Sequence, residues 1–98
     1  MSEIRVRNDT GLDLEAVRAT VAGGTRLELG ALPPGTVSEW QAAEVVRRYP
    51  SVEADTAATQ LVHRPLETEG EALPEGRYTY VLRVESDRLV VGLEREPA

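Results

Sequence analysis

A chain of 98 residues is the size of one domain, spanning 1–98, and removes roughly 60–70% of its unfolded surface from water, enough for a core without staples. The absence of cysteine excludes disulfides, thiol nucleophiles and Cys-based metal sites. A formal net charge of −6 argues against nucleic-acid binding, which needs a basic face.

The opening, Met1 to Arg5, has no signal-peptide apolar region and runs straight into a strand. No apolar run approaches the roughly 20 residues that span a bilayer. The chain as given is expected to be soluble, with no transmembrane segment. Ile4 and Val6 alternate with Arg5 and Arg7 in that first strand. Asn8-Asp9-Thr10-Gly11 breaks it with acceptor side chains and a Gly. The run from Leu12 to Val21 carries two periods. Leu14, Val17 and Val21 have a weak helical spacing, whereas Val17, Ala19 and Val21 alternate with Arg18 and Thr20. Strand is the better reading of the second half, because Gly23-Gly24 and a second alternating run, Leu27-Glu28-Leu29, follow at once.

The register of that hairpin follows from which residues must share a face. A two-residue Gly23-Gly24 loop sets Thr20 opposite Leu27, polar against apolar. A three-residue loop, Ala22 to Gly24, sets Ala19 opposite Leu27 and Val17 opposite Leu29, with Gly24 at the left-handed position. The longer loop is expected. Gly30 to Gly35 then reads as a connection, since Pro33 and Pro34 cannot donate to a central ladder. Thr36 to Gln41 reads as a strand containing Trp40. Ala42 to Arg48 is the one stretch where a helical turn or an irregular bulge is plausible, and Pro50 stops it. Ser51–Asp55 and Ala58–Arg64 read as paired strands. Val52 and Ala54 point inward on the first; Leu61 with His63, or Gln60 with Val62, on the second. The acidic stretch from Leu66 to Gly76 is the longest connection, of the kind that crosses between sheets.

The closing hairpin, Arg77 to Arg95, is the clearest signal. Tyr78, Tyr80, Leu82 and Val84 share one side of a strand; Leu89, Val91 and Leu93 share one side of the next. A Ser86-Asp87 turn pairs Val84 with Leu89, Leu82 with Val91 and Tyr80 with Leu93. There is no Phe, so the core is expected to be Val, Leu and Ala around Trp40 and the tyrosines. The eleven basic residues are all Arg, which the coding bias of a GC-rich genome explains. Arg and Glu on exposed strand faces can form cross-strand ion pairs worth roughly 0.2–1 kcal/mol each.

Chemistry is sparse. His63 is the single histidine, and without a nucleophile elbow or an HxxxH companion it reads as a strand histidine. Asn8, Asp9 and Asp13 crowd one loop, and Asp55 or the Glu67–Glu75 stretch offers further hard oxygen ligands of the type that binds calcium. The spacing matches no EF-hand; a turn capped by its own side chains is the simpler reading. With seventeen acids, carboxylate pairs at glycosidase spacing arise by chance. Of the aromatics Trp40, Tyr49, Tyr78 and Tyr80, the parity of the last hairpin sends at least Tyr80 inward. Trp40 is expected in the core rather than as a sugar platform. Gly23-Gly24 and Pro34-Gly35 are turns, since no helix follows to make a phosphate loop.

Leu73-Pro74-Glu75-Gly76-Arg77-Tyr78-Thr79-Tyr80 resembles the lead-in to the penultimate strand in small bacterial exported or lipoprotein β-sandwich domains of uncharacterised function, with Arg77 where those carry Lys. Ile4, Val6, Asn8, Thr10, Gly11, Asp13 and Leu14 are similar to their first strand and turn. Gly30, Leu32, Gly35 and Ser38 are similar to a middle motif of that group. The resemblance implies an immunoglobulin-like sandwich at the cell envelope and carries no catalytic residues. The expected fold is therefore an all-β, antiparallel immunoglobulin-like sandwich of seven to eight strands. The expected function is a non-enzymatic interaction or structural module, acting through an exposed face or edge strand toward another protein or a second copy. The alternative is a carbohydrate- or calcium-binding module using the 8–13 turn and the acidic 67–75 loop. No catalytic, cofactor-binding or metal-ligating residue is singled out, and no cofactor is expected.

Overall fold

The computed structural model describes residues 2–20, 26–46, 50–64 and 73–96. Eight strands make up its regular structure: β1 Ser2–Asn8, β2 Leu14–Thr20, β3 Arg26–Leu32, β4 Gln41–Ala43, β5 Ser51–Asp55, β6 Gln60–His63, β7 Arg77–Glu85 and β8 Arg88–Arg95. There is no helix among the described residues. The strands form two four-stranded sheets, ordered β4-β1-β7-β8 and β3-β2-β5-β6. Their inner faces enclose one apolar cluster, so the protein is an eight-stranded β-sandwich. The connection after β6 crosses from one sheet to the other, as its length and polarity predict.

The closing hairpin has the expected register. Val84 faces Leu89, Leu82 faces Val91 and Tyr80 faces Leu93. Ser86 and Asp87 both have positive φ, 51° and 63°, as a type I′ turn requires at its two central positions. Tyr80, Leu82 and Leu89 are fully buried, and Val91 and Leu93 pack partly buried against them. Val84 is only half-buried, because it lies near the open tip of the hairpin. β1 joins this hairpin in parallel, Ile4 beside Tyr78 and Val6 beside Tyr80. One sheet is therefore mixed rather than wholly antiparallel. A parallel partner must come from far along the chain, so local spacing carried no sign of it.

The β2–β3 hairpin places Ala19 opposite Leu27, as expected, with Thr20 opposite Arg26. Its turn, Ala22 to Gly24, lies outside the described residues, as does Val21. Further along, Val17 faces Gly30 instead of Leu29. Two bulges cause this correction. One extra residue enters β3 at Leu29-Gly30, where Gly30 has φ +73°, and one enters β2 between Leu14 and Val17. Each bulge reverses the side-chain parity. Leu14 and Val17, three residues apart, both point inward, as do Leu29 and Leu32. The apparent helical spacing in β2 is the mark of a bulge. For the same reason the connection predicted over Gly30–Gly35 begins later, because β3 runs on to Leu32.

The strand predicted over Thr36–Gln41 is also corrected. The Asn8 amide donates to the Thr36 carbonyl, the Ser38 amide donates to the Val6 carbonyl, and Val37 bridges Arg7, but regular pairing begins only at Gln41 opposite Ile4. Between those points the outer chain uses four steps to the three of β1. The extra residue falls at Glu39-Trp40 and turns Trp40 out of the core. The core is instead Ile4, Val6, Leu14, Val17, Leu29, Leu32, Val46, Val52, Tyr78, Tyr80 and Leu82 with smaller partners. β4 occupies Gln41–Ala43, so the stretch open to a helical turn, Ala42 to Arg48, begins as strand; residues 47–49 lie outside the described set. Val52 and Ala54 are fully buried. On β6, shorter than the predicted Ala58–Arg64, Leu61 and His63 take the inner side and Gln60 and Val62 the outer. The Leu61–His63 set is thus the inward one.

Since Ser86 and Asp87 sit where L side chains are strained, the double change Ser86→Asn with Asp87→Gly supplies the preferred type I′ pair. It is expected to stabilise the chain by about 1 kcal/mol, a rise in melting temperature of roughly 4–8 °C on thermal unfolding.

Candidate functional site

The turn after β1 is built around Asn8, which is fully buried. Its Nδ2 donates to the carbonyls of Leu12 at 2.7 Å and Leu32 at 2.8 Å. Its Oδ1 accepts from the Thr10 amide at 3.0 Å and the Thr10 hydroxyl at 2.5 Å. Both donor hydrogens and both acceptor lone pairs are thus used within the protein. Asp9 lies against the Arg7 guanidinium at 3.2 Å, and Asp13 is exposed. Asp55 lies on the other sheet, engaged with Arg18. Of the acidic connection, residues 67–72 lie outside the described set. Among the described residues no group of three or more His, Cys, Asp or Glu comes together that could hold a metal ion.

His63 sits half-buried at the sandwich edge, with Nδ1 3.3 Å from the Leu89 carbonyl, to which it donates as the Nδ1–H tautomer. That bond links β6 of one sheet to β8 of the other. Gln41 does the same on the opposite side, its Nε2 donating to the Glu28 carbonyl on β3 at 3.3 Å. Tyr78 is buried, and its hydroxyl donates to the Pro74 carbonyl. Trp40 lies half-buried on the outer face, with the Arg5 guanidinium 4.4 Å and the Arg77 guanidinium 5.4 Å from its ring centre. Its π surface is engaged by two cations rather than offered to a sugar. Tyr49 lies outside the described residues.

Both outer faces carry charge arranged in pairs. On the β1–β7–β8 face, Arg5 reaches Thr79 and Glu96, Arg7 reaches Glu94 with two nitrogens, and Arg77 reaches Glu3. The Glu94 bonds are the first cause that raises the pKa of Arg7 above its ordinary value. On the other face Arg18 bonds both oxygens of Asp55 at 2.9 and 3.0 Å and reaches Glu53 at 3.3 Å. Bonding to Arg18, and then to Gln60, holds the Asp55 carboxyl at about 2, below the usual carboxylate range. Its bonds to Asp55, and then to Glu53, raise Arg18. These are solvated strand faces with their charges matched.

The feature that parity reading passed over is the edge of β8. A two-residue turn makes Glu85–Arg88 a hydrogen-bonded pair, so every second pair along the hairpin is bonded. The Glu96 amide donating to the Arg77 carbonyl at 2.9 Å, in the same register, agrees with this. The amides and carbonyls of Arg88, Val90, Gly92 and Glu94 therefore face β7. Those of Leu89, Val91, Leu93 and Arg95 face away, toward the edge of the sheet, where among the described residues no further strand is hydrogen-bonded to β8 and β6 of the other sheet lies alongside. The His63 bond to the Leu89 carbonyl comes from that open side. The signal was available in the sequence: the turn length fixes which residues point outward once β8 is known to be terminal.

No protein-family model matches the chain, and neither does any curated protein. Among solved structures it is similar to the NMR structure of a protein from Eubacterium rectale, with a TM-score of 0.65 at 16% identity. The match covers 97% of this chain and 89% of that one. At this identity the likeness is one of fold: a small all-β domain with a bacterial neighbour. Among the described residues no helix is long and apolar enough to cross a membrane.

The Asp55–Arg18 contact gives a pH prediction. A carboxyl lowered in the folded state is protonated first in the unfolded chain, whose ordinary value is near 3.9. Its stabilisation is complete above about pH 4 and is lost as pH falls toward about 2. Asp55→Asn is expected to lower the melting temperature at neutral pH and to flatten its decline across that acid window. Parallel curves for the two proteins would show that the contact contributes nothing.

Proposed function

We propose that the chain is a non-enzymatic interaction module, an immunoglobulin-like sandwich of the bacterial cell envelope that engages a partner chain through the edge of β8. The observation that carries this reading is the row of outward-facing backbone groups at Leu89, Val91, Leu93 and Arg95, eight residues of strand without a proline or a bulge. Such an edge is a template for strand addition, which natural sheets otherwise shorten, twist or cover. The eight-stranded two-sheet build supports the immunoglobulin-like description. The sequence resemblance to exported bacterial domains supports the location. The alternative, a calcium or carbohydrate module at the 8–13 turn, has less support, since Asn8 is fully engaged and Asp9 is paired.

A photoreactive side chain at position 90, on β8, and another at position 15, exposed on β2, separate the readings in living cells. Cross-linking from position 90 is expected to give a defined adduct that disappears with Val91→Pro. Position 15 is expected to give none. Equal adducts from both positions, or none from position 90, would remove the edge as the binding surface.

A further inference from the structure

Resting on the edge-strand reading, we infer that the partner is a second copy of this chain, paired antiparallel along β8 about a two-fold axis through Val91. The argument is one of register. A two-fold axis perpendicular to the sheet keeps both outer faces on one side and makes paired positions add to a constant. The outward-facing backbone groups belong to the odd-numbered residues of β8, so odd must meet odd. This leaves three central registers.

Centred on Val91, Arg88 of one copy meets Glu94 of the other, twice by symmetry. Val90 meets Gly92, Leu89 meets Leu93, and Val91 meets Val91. The outer face then gains two opposite-charge pairs, and the core side gains apolar pairs with Arg95 opposite Asp87 at either end, the combination that cross-strand energetics favours. Centred on Gly92, Leu89 would meet Arg95 and Val90 would meet Glu94. Centred on Val90, Leu93 would meet Asp87 and Arg88 would meet Gly92. Both alternatives set apolar against charged and forgo the Arg88–Glu94 pairs.

The residues concerned are free to act. Arg88 is exposed and makes no ion pair with another of the described residues. Glu94, whose side chain is 53% exposed, contacts Arg7 at 3.0 Å and keeps lone pairs for a second guanidinium. Gly92 offers no side chain to oppose Val90. The Leu89 carbonyl already accepts from His63 at 3.3 Å, and its second lone pair is available to the Leu93 amide of the other copy. The result is a continuous eight-stranded sheet across two copies, with each β8 moved from edge to centre.

Sedimentation equilibrium of the purified chain tests this. The wild type is expected to show a concentration-dependent dimer. Arg88→Glu alone, and Glu94→Arg alone, each set like charges opposite one another twice and are expected to weaken the dimer by roughly tenfold or more. The double exchange, Arg88→Glu with Glu94→Arg, is expected to restore it. Val91→Pro removes an amide that β7 does not use, so the fold is retained while the dimer is lost; thermal unfolding of each variant checks the fold. Should Glu94→Arg unfold through loss of its Arg7 contact, Arg88→Glu and Val91→Pro still decide. A wild type that stays monomeric, or a dimer indifferent to these changes, overturns the proposal. A monomer that still yields the position-90 adduct in cells overturns self-pairing and leaves the interaction module standing. A monomer without that adduct overturns both.

Discussion

The structure depends on burying both sides of β7. Its residues Tyr78 to Leu82 are consecutively buried, which no strand with one wet face permits. Tyr78, Tyr80 and Leu82 meet the core between the sheets. Thr79 and Val81 point the other way, at 0% and 4% exposure, although the described strands form only two layers. Their cover is made by charged residues. Arg5 donates to the Thr79 hydroxyl from Nε and to Glu96 from the end of its guanidinium, while its plane rests on Trp40. Long stems shield the strand while paired heads remain in contact with water. A lysine ammonium could not divide its bonding this way and stack as well. Whatever produced the lysine-free composition, arginine suits this face.

This division explains which parts of the fold could be read from the chain. The closing hairpin was legible to the level of individual pairs, because its information is local: a period of two on each arm and a two-residue turn between. Ala19 opposite Leu27 was legible for the same reason. Legibility ended wherever an extra residue reversed the parity. At Leu29-Gly30 a bulge moved Val17 onto Gly30, and at Glu39-Trp40 another sent the single tryptophan outward. An aromatic in a strand is usually core. What overruled that prior was a pair of arginines on β1 and β7, neighbours only after folding.

The possible sites divide in the same way. The Asn8 turn was readable as a structural turn, since a buried Asn before Thr and Gly has obvious backbone partners nearby. His63 was readable as a strand residue, but its bond to Leu89 joins strands of different sheets and has no sequence signature. The β8 edge lay between these cases. Its parity was in the sequence, whereas its position at the end of a sheet was a property of topology alone.

The parallel pairing of β1 with β7 also governs when the molecule can assemble. β1 is made first, and its central partner almost last; Glu3 meets Arg77 across a separation of 74 residues. Until then β1 can be held by the short β4, the segment around Val37 and the Asn8 bonds to Leu12 and Leu32. The β3-β2-β5-β6 sheet, by contrast, is complete by His63. During synthesis one layer can therefore close while the other waits, its arginine-bearing first strand alternating in a way that keeps it soluble. Pairing across so long a separation is slow because loop closure comes before any contact rewards it. The late hairpin thus acts as the latch that joins one finished layer and one waiting layer into a single cooperative unit.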